Sequence, residues 1–267
     1  MNAGRLFLDG TRTLPRRLAN LLMPPLCIAC KAPVGTALSY CPDCWSSLPR
    51  IEGGRCHQCA IPLPIEWQVE SHCLGCLSEP PRFDVAAIPF LYEGPARATV
   101  LAFKNGREAY GRGMADEMLR AADGLIGADS LLCAVPLHRW RVAARGYNQA
   151  LVLARNLSRH TGARLDPDLL QRVKATPRMK GLSRSQRRRN VEGAFRLRPG
   201  AAAAISGRHL VLVDDVVTTG ATASAVAGVL KRAGAAHVTL LAYARVAATG
   251  GASYVTASHR QDDHGQG

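Results

Sequence analysis

Four pairs of cysteines lie in the first third of the chain, each with two residues between its thiols. A CxxC turn brings two thiolates to one metal ion, and two such turns complete a tetrahedral zinc site. The spacing therefore predicts two structural zinc sites with no open coordination position. Sequential grouping of the pairs closes the smallest loops and is favoured, while an interleaved cross-brace stays open. The pairs hold eight of the nine cysteines: Cys27/Cys30, Cys41/Cys44, Cys56/Cys59 and Cys73/Cys76.

Disulfides and a redox dithiol are competing interpretations of the same cysteines. Disulfides persist in oxidising compartments, and charged residues interrupt any signal-peptide core in the first 26 residues. A redox CxxC is usually single and close to a βαβ unit. Structural zinc is therefore favoured, and the protein is expected to be cytoplasmic. Cys133, the ninth cysteine, falls in a predicted buried strand and is expected to act as a small apolar side chain.

A second group of chemically capable residues lies near the end of the chain, in HLVLVDDVVTTGAT from His209 to Thr222. The consecutive apolar residues predict a strand buried on both faces, and Asp214 and Asp215 follow them. A short loop with Gly220 leads into a helix, whose first turn offers unpaired N–H groups and the positive end of its dipole. This pattern predicts a phosphate cradle. The two carboxylates suit ribose hydroxyls or a hydrated Mg²⁺ ion.

This segment resembles the 5-phosphoribosyl-1-pyrophosphate (PRPP) binding motif of type I phosphoribosyltransferases. In that motif two acids and two apolar residues precede T-T-G-x-T, and the match is residue for residue. The resemblance implies that Asp214 and Asp215 hold the ribose and are the catalytic acids, with Mg²⁺ accompanying PRPP. No Walker loop and no GxGxxG sequence occurs, which argues against nucleotide hydrolysis and dinucleotide binding. The resemblance assigns the 5′-phosphate to Thr218, Thr219, Gly220, Ala221 and Thr222.

Basic residues are concentrated in one stretch, residues 138–198, which holds sixteen Arg and Lys against three acids. Nearly all of the net charge of +14 lies there, which indicates an anionic partner. The phosphoribosyltransferase resemblance implies a lid in Thr176–Phe195 that closes over leaving pyrophosphate, with Arg187, Arg188 and Arg189 as its basic cluster. It implies a pyrophosphate loop after the strand Leu131–Val135, formed by Pro136, Leu137, His138, Arg139 and Arg141.

The order of these features along the chain resembles the ComF family. After the cysteine pairs come KNG at 104–106, RGYNQA at 145–150, GLSRSQRRRNVEGAF at 181–195 and VDDVVTTGAT at 213–222. The similarity covers about residues 15–246. It implies an association with natural competence, and hence with DNA uptake. Single-stranded DNA and a competence helicase are then further candidate partners, beside PRPP.

The elements that must position these residues alternate between strand and helix patterns. Such alternation predicts crossover connections and a parallel sheet. The predicted fold class is α/β: a type I phosphoribosyltransferase-like parallel sheet flanked by helices, preceded by a small Cys-rich zinc-ribbon domain. The predicted elements are strands Val85–Tyr92, Leu131–Val135, Ala194–Leu197, His209–Val213 and His237–Tyr243, and helices Ala96–Phe103, Glu108–Ala122, Tyr147–His160 and Thr222–Arg232.

Length and composition set the domain plan. A chain of 267 residues with 47% apolar and 20% charged residues is neither wholly disordered, collagenous nor a coiled coil. No apolar run approaches the ~18–20 residues of a membrane span. We expect an N-terminal amphipathic helix in 1–26, a double zinc ribbon in 27–80, a phosphoribosyltransferase-like domain in 82–246 and a disordered tail in 247–267, with Pro80-Pro81 as linker.

Two functional hypotheses follow from these features. The first is an enzyme that transfers phosphoribose from PRPP, with Mg²⁺, to an acceptor that the sequence does not identify. The alternative is a non-catalytic accessory that binds single-stranded DNA or a partner protein and keeps the PRPP fold as a scaffold. In that case Trp140 or Tyr147 would stack on bases beside the basic residues. A membrane-surface role for the N-terminal helix is disfavoured, since one short helix precedes two prolines.

Overall fold

The computed structural model describes residues 24–63, 71–174 and 184–247. Residues 1–23 of the predicted N-terminal helix and residues 248–267 of the predicted tail lie outside these ranges, while residues 24–26 are described and are not helical. Among the described residues, no helix is long and apolar enough to cross a membrane. The helices are α1 Pro42–Ser46, α2 Leu74–Ser78, α3 Gly94–Lys104, α4 Tyr110–Ala121, α5 Arg139–Arg145, α6 Gln149–Thr161, α7 Arg184–Val191, α8 Ala202–Ile205 and α9 Ala221–Arg232. The strands are β1 Val85–Ala87, β2 Phe90–Leu91, β3 Leu131–Ala134, β4 Arg164–Leu165, β5 Leu170–Arg172, β6 Phe195–Leu197, β7 His209–Val217 and β8 His237–Arg245.

A parallel sheet forms the centre of the fold. Its strand order is β1-β8-β7-β3-β4, and β2 also pairs with β8. Every pairing in this sheet is parallel, with Val211 opposite Thr239 on β8 and Leu212 opposite Cys133 on β3. Helices cover the faces, so the middle strands are buried on both sides, as their unbroken apolar runs require. The predicted parallel sheet flanked by helices is confirmed, and Cys133 is buried in it.

Several elements differ from the sequence prediction. The predicted strand 85–92 is two short strands, because Pro89 has no N–H to donate to a ladder. The predicted strand 194–197 is observed as β6, but it pairs antiparallel with β5 in a separate two-stranded sheet. The short elements α5, α8, β4 and β5 were not predicted. Their two to seven residues are too few to show a helix or strand period.

The cysteine-rich region packs directly on the sheet. The Ile51 N–H donates to the Pro89 carbonyl and the Leu91 N–H donates to the Pro49 carbonyl, both at 2.8 Å. This pairing continues the sheet edge at β2 in antiparallel fashion. Near the predicted linker, the Gln58 amide donates to the carbonyls of Pro81 and Phe83, each at 3.1 Å. The region therefore shares one hydrophobic core with the sheet, through Leu48, Ile51 and Ala60.

A glycine permits a close approach of backbone between this region and α4. A Cβ atom added to Gly113 would lie 2.3 Å from the Leu38 carbonyl oxygen, a backbone atom that cannot move aside alone. Gly113→Ala is therefore expected to lower the melting temperature by several degrees, since overpacking costs about 1–3 kcal/mol. Gly127→Ala is the matched control, because nothing lies within 4 Å of its added Cβ. Equal melting temperatures for the two variants would contradict this docking.

Two histidines begin β7 and β8 at the amino-terminal edge of the sheet. The His209 ring lies 2.8 Å from Thr239 Oγ1 and 3.2 Å from Ser130 Oγ, and its centroid is 5.1 Å from that of His237. Burial, and then the charge of His237, lower the pKa of His209, while the charge of Asp84 opposes the shift. The folded state thus favours the neutral ring.

The low pKa of His209 predicts how stability changes with pH. Because the unfolded chain takes up a proton more readily, the free energy of unfolding should fall as pH drops through the ordinary histidine pKa of about 6.5. In His209→Gln that fall should be shallower. Denaturant unfolding at pH 7.5 and pH 5.5 gives the change in the free energy of unfolding for the wild type and for His209→Gln. An identical pH dependence in the two proteins would refute the lowered pKa of His209.

Candidate functional site

The predicted phosphate cradle lies at the carboxyl end of β7. The strand runs to Val217, and α9 begins at Ala221, one residue before the predicted start. Gly220 is the N-cap with φ 78°, a left-handed conformation that side chains with a Cβ rarely adopt. The Thr219 hydroxyl accepts a hydrogen bond from the Ala221 N–H at 3.4 Å. The segment is therefore a strand–loop–helix corner, and the first turn of such a helix offers backbone N–H groups to a phosphate.

Asp214 and Asp215 lie next to this loop, each held by the backbone that follows it. The Asp215 N–H donates to Asp214 Oδ1 at 2.8 Å, and the Val216 N–H donates to Asp215 Oδ1 at 2.7 Å. The second oxygen of each carboxylate takes no part in these two hydrogen bonds. On Asp215 that oxygen, Oδ2, lies 3.0 Å from Lys104 Nζ. The Asp215 side chain is 13% exposed, so this is a largely buried ion pair.

Burial raises the pKa of Asp214 well above the ordinary range for a carboxyl group, and the negative charge of Asp215 raises it further. The Asp215 backbone N–H and the Lys104 ammonium act in the opposite direction. Lys104 contacts Asp215, but a repulsion between the two adjacent carboxylates remains. A hydrated divalent cation, or hydroxyl groups that donate hydrogen bonds, would relieve it. The donor set fits Mg²⁺ or a ribose diol.

Lys104 is a site residue that the motif analysis did not assign. It ends α3, far from Asp215 in sequence, so only the folded chain brings the two together. The available signal was the KNG segment, which the family resemblance singled out without a role. The position of α3 depends on Tyr147, whose hydroxyl donates to the Phe103 carbonyl and whose ring lies 5.7 Å from that of Phe103.

The RGYNQA segment joins three elements of the site. Gly146, at φ 81°, ends α5 in a left-handed conformation. Tyr147 holds the end of α3, as described above. Asn148 caps α6 by accepting from the Ala150 N–H at 3.1 Å, and its amide donates to the Val135 carbonyl at 3.2 Å. The segment therefore fixes the loop after β3 relative to Lys104.

The predicted pyrophosphate loop is only partly a loop. Residues 136–138 are irregular, and α5 begins at Arg139 with His138 as its N-cap. Arg141 thus lies on the first turn of a helix. Arg172, at the end of β5, lies near both sides of this site: burial and then the positive charge of Arg141 lower its pKa, while Asp214 opposes the shift. The structure thus brings Arg172, which was not predicted, into the surroundings of Asp214.

The predicted lid lies between the antiparallel strands β5 and β6. Its residues 176–183 are outside the described residues, and so are the side chains of Arg187 and Arg188. The backbone of 184–191 forms α7, and Arg189 is exposed. This chain segment leaves the small sheet at Arg172 and returns at Phe195, which are paired with each other. The Arg-rich segment therefore begins and ends beside Arg172, the residue that interacts with Asp214.

The eight paired cysteines form two clusters grouped sequentially, as favoured from the sequence. Within each cluster the four sulfur atoms lie within 4.8 Å of one another. Each cluster begins with the same turn: the Cys27 N–H donates to the Ala32 carbonyl and the Cys56 N–H donates to the Ile61 carbonyl, both at 2.8 Å. Four convergent thiols fit a tetrahedral Zn²⁺ ion. The clusters are Cys27, Cys30, Cys41 and Cys44, and Cys56, Cys59, Cys73 and Cys76.

Both clusters are tied to the sheet domain. Tyr40, next to the first cluster, hydrogen-bonds to Thr99 on α3 at 3.1 Å and to the buried Tyr243 on β8. The Arg245 guanidinium, buried at the end of β8, donates to the Cys59 carbonyl in the second cluster. Arg245 lies opposite Val217 at the carboxyl edge of the sheet. The second cluster is thus connected to the edge that carries the candidate site.

Comparison with known proteins identifies relatives over most of the chain. The model of the double zinc ribbon domain matches residues 18–77. DNA utilization protein YhgH of Escherichia coli O6:H1 is 35% identical over 228 residues, which cover 82% of this chain and 96% of that protein. Competence protein F of Haemophilus influenzae is 29% identical, with the same coverage of both chains.

Solved structures with weaker similarity cover about half of the chain. The protein TT1426 from Thermus thermophilus is 20% identical with a TM-score of 0.31, over 51% of this chain and 81% of that one. Hypoxanthine-guanine phosphoribosyltransferase from Schistosoma mansoni is 14% identical with a TM-score of 0.27, over 52% and 56%. The family assignment therefore rests on the sequence relatives. From their identity and coverage, the chain belongs to the ComF family, which includes DNA utilization protein YhgH and Competence protein F.

Proposed function

We propose that this protein binds PRPP with Mg²⁺ at the carboxyl edge of its sheet and transfers the phosphoribosyl group to an acceptor. The observation that carries the proposal is the Asp214–Asp215 pair beside a glycine-capped helix start, with the Lys104 ammonium 3.0 Å from Asp215. PRPP carries a 5′-phosphate and a ribose diol on one sugar. A site that binds both groups needs backbone N–H donors for the phosphate next to carboxylates for the diol. This corner supplies both within nine consecutive residues, 214–222.

The proposed roles follow from the placement of the groups. The 5′-phosphate lies in the 218–222 loop, and Asp214 and Asp215 accept hydrogen bonds from the ribose hydroxyls. In the transfer, the bond between the anomeric carbon and pyrophosphate breaks with its electron pair leaving on oxygen. The acceptor nucleophile then forms the new bond to that carbon. Arg172, which interacts with Asp214, and Arg141, which interacts with Arg172, stabilise the departing negative charge.

The biological setting is proposed from the names of the relatives. They are named for DNA utilization and for competence, and we propose that this protein acts in DNA uptake in the cytoplasm, with PRPP chemistry as its molecular activity. A competence helicase is a candidate partner of the double zinc ribbon.

Amide hydrogen exchange on the full-length zinc-loaded protein tests where PRPP binds. With Mg·PRPP we expect slower exchange in peptides covering 213–222 and 135–141, because the ligand orders both loops. Ribose 5-phosphate should protect 213–222 alone, since it lacks pyrophosphate. Unchanged exchange in 213–222, or protection confined to other regions, would contradict the proposal.

A second candidate function is single-stranded DNA binding without catalysis. It is favoured by Trp140 on α5, a residue that is 69% exposed, with the Arg139 guanidinium 5.8 Å from the centroid of its ring. Tyr147, the other aromatic candidate, packs on Phe103 and is held there by its hydroxyl. Trp140 is therefore the available stacking surface.

Trp140→Ala measures the stacking contribution. If this face binds bases, affinity for an oligo-dT strand should fall about 5- to 100-fold, since one stacked base is worth about 1–3 kcal/mol. Fluorescence anisotropy with a labelled strand gives the dissociation constant. Calorimetric titration with ribose 5-phosphate, which should engage 213–222 and not 135–141, serves as the control and should be unchanged. An unaltered affinity for DNA would remove Trp140 from the interface.

A further inference from the structure

A groove lined with arginines lies between α4, α6 and the first cysteine cluster. It encloses about 440 Å³. Arg112 lies on its α4 side and Arg155 and Arg159 lie one turn apart on its α6 side, while Leu38 closes it from the cluster. Glu108 is the acidic residue in its lining. The groove is separate from the residues proposed to hold PRPP.

The three guanidinium groups of the groove have no carboxylate within 4.0 Å among the described residues. Three other described arginines do contact carboxylates, namely Arg50, Arg120 and Arg198. Positive side chains at positions i and i+4, such as Arg155 and Arg159, repel each other and destabilise a helix. Helix stability therefore does not account for this arrangement. An anionic ligand that neutralises the arginines would account for it.

We propose that this groove binds the phosphodiester backbone of a single-stranded nucleic acid. A guanidinium presents a planar fork of donors that matches a phosphate. Arginines on successive turns can engage successive phosphates along one strand. The positive charge extends to the first cysteine cluster at Lys31, whose ammonium lies 4.4 Å above the ring of Tyr110. This proposal does not depend on PRPP binding.

The lining of the groove favours a phosphate backbone over an acidic protein segment. Protein partners are held mainly by aromatic or apolar anchors that fill pockets. In the lining of this groove the apolar side chains are Leu38, Ala109 and Val152, and Val152 is already buried. No aromatic side chain lines it among the described residues.

The test is fluorescence anisotropy with a labelled oligo-dT strand and full-length zinc-loaded protein. The variant is Arg112→Gln/Arg155→Gln/Arg159→Gln. Losing three single-strand phosphate contacts should make the log–log salt slope shallower by about 2. If variant and wild type bind equally in 1 M salt, that slope makes the variant bind about 100-fold more weakly at 0.1 M. The matched control removes the same charge elsewhere, at exposed positions of α3, β4 and α9: Arg97→Gln/Arg164→Gln/Arg232→Gln.

The outcomes separate this proposal from the others. We expect the groove variant to show the shallower salt slope and the weaker binding. The control should keep nearly the wild-type slope and affinity, and both variants should bind Mg·PRPP as the wild type does. Equal salt slopes in groove variant and wild type would overturn the proposal. A poly-glutamate peptide that binds the wild type more tightly than oligo-dT does, and that no longer binds the groove variant, would also overturn it. The groove would then be a site for an acidic peptide. Tighter binding of a duplex would overturn the single-strand assignment.

Discussion

Asp214→Asn is expected to raise the melting temperature while weakening Mg·PRPP binding. The folded protein raises the pKa of Asp214 through burial and the charge of Asp215. The folded state therefore binds the proton more tightly than the unfolded chain, so the free energy of unfolding falls as pH rises from about 3.9 to the raised folded value. A neutral amide of the same shape removes this penalty. An increase of about 1 kcal/mol would raise the melting temperature by about 2–4 °C.

The same substitution should cost binding, because the amide accepts ribose hydrogen bonds more weakly and does not attract Mg²⁺. A hydrogen bond to a charged group is worth about 1.5–3 kcal/mol, so the dissociation constant should rise about 10- to 100-fold. Asp166→Asn is the control, since that carboxylate pairs with Arg198 away from the loop. A destabilised Asp214→Asn variant, or one that binds PRPP normally, would contradict the account of this site.

Removing zinc is expected to destabilise the whole protein and not the ribbons alone. A structural zinc site contributes about 10–16 kcal/mol, which is comparable to the entire stability of a domain. The ribbon region shares its core with the sheet through Leu48 and Ile51, and Arg245 joins the second cluster to β8. Chelation should therefore lower the melting temperature by more than about 10 °C in a single transition. Calorimetry before and after chelation measures it.

Metal content provides the control for this prediction. Protein purified without chelator should contain about two zinc ions per chain, one for each cluster of four thiols. Cys30→Ser should reduce the count to about one, while Cys133→Ala, at a buried cysteine outside both clusters, should keep two. A zinc-free protein would refute the metal assignment. A chelated protein that melts like the loaded one would show that the ribbons are not integral to the fold.

The parts of the structure that local sequence encodes were predictable. The strand before Asp214 is a continuous apolar run, and each cysteine pair is a self-contained turn, so both could be assigned without tertiary information. The strand 85–92 was assigned too long because its apolar character outweighed the effect of Pro89. The start of α5 was missed because His138 is an uncommon N-cap and the helix has seven residues.

Features of the site that depend on contacts between segments distant in sequence could not be predicted. Lys104 reaches Asp215 because Tyr147 holds the end of α3 in place. The spacing of these residues along the sequence does not predict that contact. The same holds for Arg172, which the small antiparallel sheet brings to the site. The docking of the ribbons was missed for a similar reason. Nothing in the sequence distinguishes Gly113 or Pro49. Their roles depend on the folded chain, which places Leu38 against Gly113 and Leu91 against Pro49.

The most direct test of the central claim is a calorimetric titration of Mg·PRPP into wild-type protein and into Asp214→Asn/Asp215→Asn, at about 150 mM salt, where weak surface electrostatics are screened. Both carboxylates and the Lys104 ion pair are altered in the double variant, and the loop is kept. We predict saturable binding with one site per chain in the wild type and no measurable heat in the variant. Absence of binding in the wild type, or equal binding in both proteins, would contradict the assignment of this site to PRPP.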